Sequence, residues 1–260
     1  MNLKTKKIII GTIGVGLTIL VLALVNSFTG NPIANGLARK GAQHYMDTHY
    51  SDLNLSIAKS AYSFKDGSYY VSVQSNTSKD TAFNIYVDSY GNVRSDNYQY
   101  EVENNFTTFR RLDKELREKS IELIDGKLDY DFDYIAFRFV KEANFLLLER
   151  DMQVDIHNPP LPITIDVTLF SEDVSYDKIA EVSKALETIL VENDIPIVDY
   201  NIRILPLSDK PQNKDQAVSW VNSLSISDFP TALMNSENLS QVMDQFEMNR
   251  VNEVNEKDKK

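Results

Sequence analysis

The sequence predicts an α+β protein: a transmembrane helix near the N-terminus, then two α+β units, the first a helix packed on a four-stranded antiparallel meander. Three observations lead there. No residue from Ile8 to Phe28 is charged, and three lysines precede that run. Strand-like segments with period-two alternation cluster between residues 55 and 100. Helical and strand-like segments then interleave to about residue 226, before a last amphipathic helix. The boundaries drawn from these patterns are 1–28 for a cytoplasmic stub and anchor, 29–103 and 104–235 for the two units, and 236–260 for a C-terminal helix and polar tail.

The apolar run is 21 residues long. As a helix it spans about 31 Å at 1.5 Å per residue, close to the roughly 30 Å thickness of the hydrocarbon layer. Lys4, Lys6 and Lys7 lie ahead of it and no charge falls between Phe28 and Leu37. The positive-inside bias therefore places the N-terminus in the cytoplasm and everything after the helix outside it, in a single-pass cell-membrane protein. A cleaved signal peptide is the competing reading, because Val25 and Ser27 satisfy the small-residue rule for a cut before Phe28. A signal core runs to about 15 residues, shorter than this segment, so a retained anchor is expected. Gly11, Gly14 and Gly16 lack the Lys-Ser/Thr of a phosphate loop and fit helix packing in lipid.

Asn31-Pro32 is a helix start, with Asn as N-cap and Pro at the first helical position. Ile33, Leu37, Ala38, Ala42, Tyr45 and Met46 recur at three- and four-residue spacing and form its expected inner face. Four strands are expected at 55–64, 68–75, 81–87 and 93–100. Lys65-Asp66-Gly67 supplies the first hairpin, and Asp88 to Asn92 closes the third strand onto the fourth. Alternation turns Tyr69, Val71, Val73, Phe83, Ile85 and Val87 toward the helix.

In the second unit, Asn105 is the expected cap of a helix with Phe109, Leu112, Leu116 and Leu123 on one face, ending at Asp125-Gly126. Strands are expected at 129–140, 144–156, 163–170, 197–205 and 217–226. Ser175 opens a helix that turns Tyr176, Ile179, Leu186, Ile189 and Leu190 inward. Leu239, Val242, Met243 and Phe246 mark the last helix, and 252–260 reads as too polar to pack.

Composition excludes several functions. The net charge is -11, and three of the 27 basic residues precede the anchor, so the remainder is more acidic still. Such a surface repels phosphate backbones, and nucleic acid is not an expected partner. The expected partners are the bilayer, through residues 8–28, and a protein or peptide of the bacterial envelope. Without cysteine there is no thiolate nucleophile and no disulfide, which fits a bacterial envelope.

Residues that could carry chemistry are few. His44 and His49 stand five apart on a helix, about 140° around its axis from each other, so they do not share a metal. His157 lies in a loop near Asp155, with no nucleophile elbow around any serine. Asp129-x-Asp131-x-Asp133 begins like a calcium loop, but Tyr134 and Val140 stand where glycine and glutamate are needed. A strand with one acidic solvated face accounts for it. No catalytic, cofactor or metal residue is assigned. Trp220, the only tryptophan, is expected in the core beside Val218 and Leu224. Tyr70 and Tyr86 alternate away from the buried face of the sheet, where amphipathic rings suit a partner, and are the candidate binding residues.

The run Phe83-Asn84-Ile85-Tyr86-Val87-Asp88-Ser89-Tyr90-Gly91-Asn92-Val93 resembles the closing hairpin of PepSY-type and cystatin-like modules of membrane-tethered bacterial proteins. In those modules a strand ending in Val-Asp meets Gly-x-Val. More closely, Asn31-Pro32-Ile33, Tyr62-x-Phe64-Lys65-Asp66-Gly67-Ser68-Tyr69-Tyr70 and Ser78-Lys79-Asp80-Thr81 are similar to the YfjL-like proteins, over about residues 31–100. The PepSY resemblance implies inhibition or regulation of a peptidase. The YfjL likeness implies no particular activity, and neither brings catalytic residues. The expected mode of action is binding, not turnover. The alternatives are a PepSY-like regulator of an envelope peptidase and an envelope hydrolase using unassigned carboxylates.

Overall fold

The computed structural model describes residues 2–140, 143–213 and 216–257, which form two compact units, Met1–Thr108 with Glu149–Asp151, and Phe109–Leu148 with Met152–Lys260. Residues 258–260 of the polar tail lie outside the described residues.

The first unit opens with α1 (Leu3–Thr29), which buries none of its side chains. Its hydroxyls turn back on the helix: Thr12, Thr18, Ser27 and Thr29 donate to the carbonyls of Ile8, Gly14, Leu24 and Val25. After a break at Gly30, α2 (Pro32–His49) begins, the Asn31 side chain accepting from Ala34 N at 2.8 Å. Strands β1 (Leu55–Ser63), β2 (Ser68–Ser75), β3 (Ala82–Val87) and β4 (Val93–Asp96) pair in that order, all antiparallel. β4 stops short of the expected strand, and a helical turn at Gln99–Glu103 follows and buries Val102. Tyr69, Val71, Val73, Phe83, Ile85 and Val87 face α2, as their alternation predicts.

The inner face of α2 differs from expectation. Ala34, Ala38, Ala42 and Met46 are buried, whereas Ile33 and Leu37 are exposed. Small residues every fourth position let the helix lie close on the sheet, so near the β3–β4 turn that a Cβ on Gly41 would stand 2.0 Å from the Gly91 carbonyl oxygen. A bulky side chain has no room there. The far end of α2 is tied to β4, where the hydroxyls of Tyr45 and Tyr50 donate to one Asp96 oxygen at 2.7 and 3.0 Å. Burial pushes both phenols above their ordinary range, and the shared carboxylate adds to it. At the β2–β3 turn Asp151 N donates to buried Asp80 at 2.7 Å while Lys79 N donates to Asp151 at 2.7 Å.

In the second unit α3 (Phe106–Ile124) buries Leu112, Leu116 and Ile124 and ends before Gly126, whose φ of 70° closes the turn. Asn105 precedes it with φ 57°, a left-handed backbone and not the extended one of an N-cap. β5 (Asp131–Phe139), β6 (Ile163–Ser171), β7 (Ile197–Pro206) and β8 (Leu224–Pro230) form a mixed sheet in sequence order. β6 and β7 are parallel and joined through α4 (Tyr176–Glu192); the outer pairs are antiparallel. Ser175 caps α4 by accepting from Lys178 N. α5 (Leu239–Lys257) packs Leu239 and Met243 into the same core, and Phe246 meets Phe229 edge-on at 5.3 Å.

Two further expectations fail in this unit. Residues 144–156 form no strand: a short turn at Phe145–Leu147 leaves Leu146 and Leu147 exposed, with Leu148 and Val154 as buried anchors. The strand expected at 217–226 starts at Leu224 instead. Pairing Tyr200 with Phe229 and Ile202 with Ile226 fills the core, so Trp220 is left 60 % exposed. The polar tail is helical as far as Lys257, and its residues 252–254 are exposed, in keeping with a segment too polar to pack.

Candidate functional site

The register of β2 against β3 sets Tyr70 directly opposite Tyr86, on the face of the sheet away from α2. The rings meet edge to face, 5.2 Å between centroids and 88° between planes. Both are half-buried, and with Lys59, Ala61, Ser72 and Asn84 they line a shallow hollow of about 260 Å³. The Tyr70 hydroxyl donates to Asp66, which also accepts from Ser63 at 2.9 Å. These two hydroxyls hold the Asp66 carboxyl below its ordinary range. Burial raises the Tyr86 phenol. The pair is thus a fixed aromatic surface with a hydrogen-bonded acid at its rim.

The other residues weighed in the sequence do not converge. His44, His49 and His157 are each exposed, and Asp155 accepts from the backbone N of His157, not from its ring. Asp131 is paired with Lys210. A bulge between Phe132 and Tyr134 leaves both Asp133 and Tyr134 exposed, and the strand buries Ala136, Phe137 and Phe139 beyond it. Among the described residues no three acidic or histidine side chains gather as a metal site.

A second surface was missed by reading the sequence. On the face of the second sheet opposite its core, the register sets Tyr134, Thr168, Arg203 and Ser225 in one row across the four strands. The Arg203 guanidinium lies 4.2 Å from the centroid of the Trp220 ring, and among the described residues it makes no ion pair. Asn201 beside it is locked, donating to Asp166 at 2.8 Å and Thr164 at 3.0 Å and accepting from Asp228 N at 2.8 Å. These groups bound a cavity of about 480 Å³. A guanidinium seated over an indole still has N–H donors to offer a planar anion such as a carboxylate. The signal was present in Thr164, Asp166 and Thr168 and in Asp199, Asn201 and Arg203, polar at every second position of two otherwise apolar strands.

The family profile described as "YfjL-like, N-terminal domain" matches residues 5–97, from within α1 to just past β4, and that described as "YfjL-like C-terminal domain" matches residues 115–244. No curated protein and no solved structure matches the chain. Both matched regions follow the architecture, one containing the apolar helix with the meander and the other the mixed sheet with its helices. The chain therefore belongs to the YfjL-like proteins and carries both of the family's domains.

Proposed function

We propose that this YfjL-like chain is a single-pass protein of the bacterial cell membrane, N-terminus inside, whose two units outside the cytoplasm bind a protein or peptide of the envelope. The observation that carries the reading is α1, a 27-residue helix with no buried side chain and no charge from Ile8 to Phe28. Its hydroxyls bond to its own carbonyls, as a helix surrounded by hydrocarbon requires. The lysines at positions 4, 6 and 7 give the orientation.

The chain is expected to stay with membranes through salt and carbonate washes, and protease added to wall-stripped cells should remove the C-terminal units while an N-terminal tag survives. A soluble product starting near Phe28, or survival of a C-terminal tag, would defeat the anchor or its orientation respectively.

The Tyr70–Tyr86 pair supplies the binding surface in this reading. Tyr70→Ala with Tyr86→Ala is expected to weaken capture of the partner about ten-fold or more, the usual cost of truncating a buried aromatic hot spot. Because the rings are half-buried against each other, the melt should also fall slightly, by the roughly 0.5 to 1.5 kcal/mol that an aromatic pair contributes. Full capture by the double variant would move the binding surface elsewhere. The PepSY-like alternative is distinguished by the captured partner: a peptidase whose turnover falls in proportion to added protein would select it. Loss of a turnover on single Asp or Glu substitutions would select the hydrolase alternative.

A further inference from the structure

The first unit shows more apolar surface at one end than its core explains. In an antiparallel meander the β1–β2 and β3–β4 turns share an end, and the β2–β3 turn lies at the other. The β1–β2 turn follows Phe64, which is 57 % exposed, and the β3–β4 turn carries Tyr90, 83 % exposed. Ile33 and Leu37, left outside the core by the close seating of α2, are 78 % and 40 % exposed. They line one hollow with Tyr90. Single exposed apolar residues are ordinary on any protein, but four at one end of a small unit are a patch.

The membrane helix arrives at this same end. The rings of Phe28 and Phe64 are 6.0 Å apart, and the Tyr62 hydroxyl donates to the Ser27 carbonyl at 3.4 Å. The connection is tight. Gly30, at φ 68°, leaves no room for a Cβ between Tyr62 and Tyr69, and Asn31 N donates to the Tyr69 hydroxyl at 3.0 Å. Phe28 ends the uncharged run, so a helix that fills the hydrocarbon layer puts its ring at the outer boundary. Phe64, in contact with it, stands at the same depth, where aromatic side chains concentrate. Tyr90 is held at its turn by Asp88, which accepts from the backbone N of Tyr90 and of Asn92, both at 2.9 Å. That carboxylate is engaged within its own turn.

From this we infer that Ile33, Leu37, Phe64 and Tyr90 sit in the headgroup–acyl boundary of the outer leaflet, holding the first unit down on the bilayer that α1 crosses. The inference rests on the membrane reading of α1. The occupant of the patch is lipid, because the patch is continuous with the end of the spanning helix and contains aliphatic and aromatic groups at the level where the chain leaves the hydrocarbon.

The chain has no cysteine, so single cysteines can be placed without background. Val15→Cys in α1, Phe64→Cys, Tyr90→Cys, and Thr77→Cys at the opposite β2–β3 turn would each carry an environment-sensitive fluorophore on the full chain. The proteins go into phosphatidylcholine–phosphatidylglycerol vesicles containing lipids with a nitroxide either in the headgroup or deep in the acyl chain. The expected result is loss of most emission at Val15→Cys with the deep quencher, loss of most emission at Phe64→Cys and Tyr90→Cys with the headgroup quencher, and none at Thr77→Cys. If Val15→Cys is quenched while the labels at 64 and 90 behave like the one at 77, the anchor stands and the seated end is wrong. If Val15→Cys itself is not quenched, the membrane reading fails and takes this proposal with it. All four positions are exposed, so labelling leaves the core untouched, and Ile33→Cys repeats the test on α2.

Discussion

Gly41→Ala is expected to destabilise the first unit by about 3 kcal/mol, the upper part of the range for overpacking a tight contact. The added Cβ would stand 2.0 Å from the Gly91 carbonyl oxygen and 2.9 Å from its carbon. Both are backbone atoms, so no side chain can swing aside. Gly91 cannot yield easily either, since it sits at φ 90° with its own α-carbon facing the Leu37 carbonyl. The strain is relieved only if α2 moves away from the β3–β4 turn, which lifts Ala34, Ala38 and Ala42 off the sheet. For a unit of about this size, 3 kcal/mol lowers the melting temperature by roughly 12 to 24 °C. Gly36→Ala is the internal control. Nothing lies within 4 Å of a Cβ there, and the helix should gain up to about 1 kcal/mol from the better helix former. Equal melts for the two variants would mean that α2 does not lie this close to the turn.

In the second unit, Asp113→Ala is expected to cost about 2 kcal/mol. Asp113 lies on α3 with its side chain 7 % exposed. Its carboxylate accepts from Arg138 Nε at 3.0 and 3.1 Å and from the backbone N of Phe139 at 3.3 Å, with Arg117 Nε at 3.7 Å. β5 is an edge strand, so this one side chain both pairs an arginine and satisfies a ladder amide that has no neighbouring strand. Removing a partner from a buried ion pair costs about 3 to 5 kcal/mol, but Arg138 is 38 % exposed and water recovers part of that. For a unit of about 150 residues the melt should drop by roughly 4 to 8 °C. Asp113→Asn keeps the acceptor for the Phe139 amide and loses only the charge, so its loss should be smaller. If alanine and asparagine prove equally damaging, the charge and not the edge amide is the important element.

Much of this architecture was legible because it is local. A helix start needs only Asn31 and Pro32, or Ser175, at the right place. A hairpin needs a residue that accepts positive φ, and Gly67 and Gly91 adopt 59° and 90°. The six alternating residues from Tyr69 to Val87 could face only one way once the strands were recognised, and the same alternation brought Tyr70 and Tyr86 together. The length of α1 and the lysines ahead of it are likewise properties of consecutive residues.

What the tertiary structure decided was every choice between locally equivalent options. On α2 both the alanine stripe and the stripe containing Ile33 and Leu37 have helical spacing. The close contact of Gly41 with Gly91 selects the alanines and leaves the larger side chains outside. Around residue 220 an apolar run looked like a strand, but cross-strand partners are made at a distance, and Tyr200 and Ile202 pair with Phe229 and Ile226, which leaves Trp220 outside over Arg203. The parallel pairing of β6 with β7 and the bulge in β5 depend in the same way on chain segments far apart in sequence. Periodicity determines which residues share a face; only the packing partner determines which face is buried.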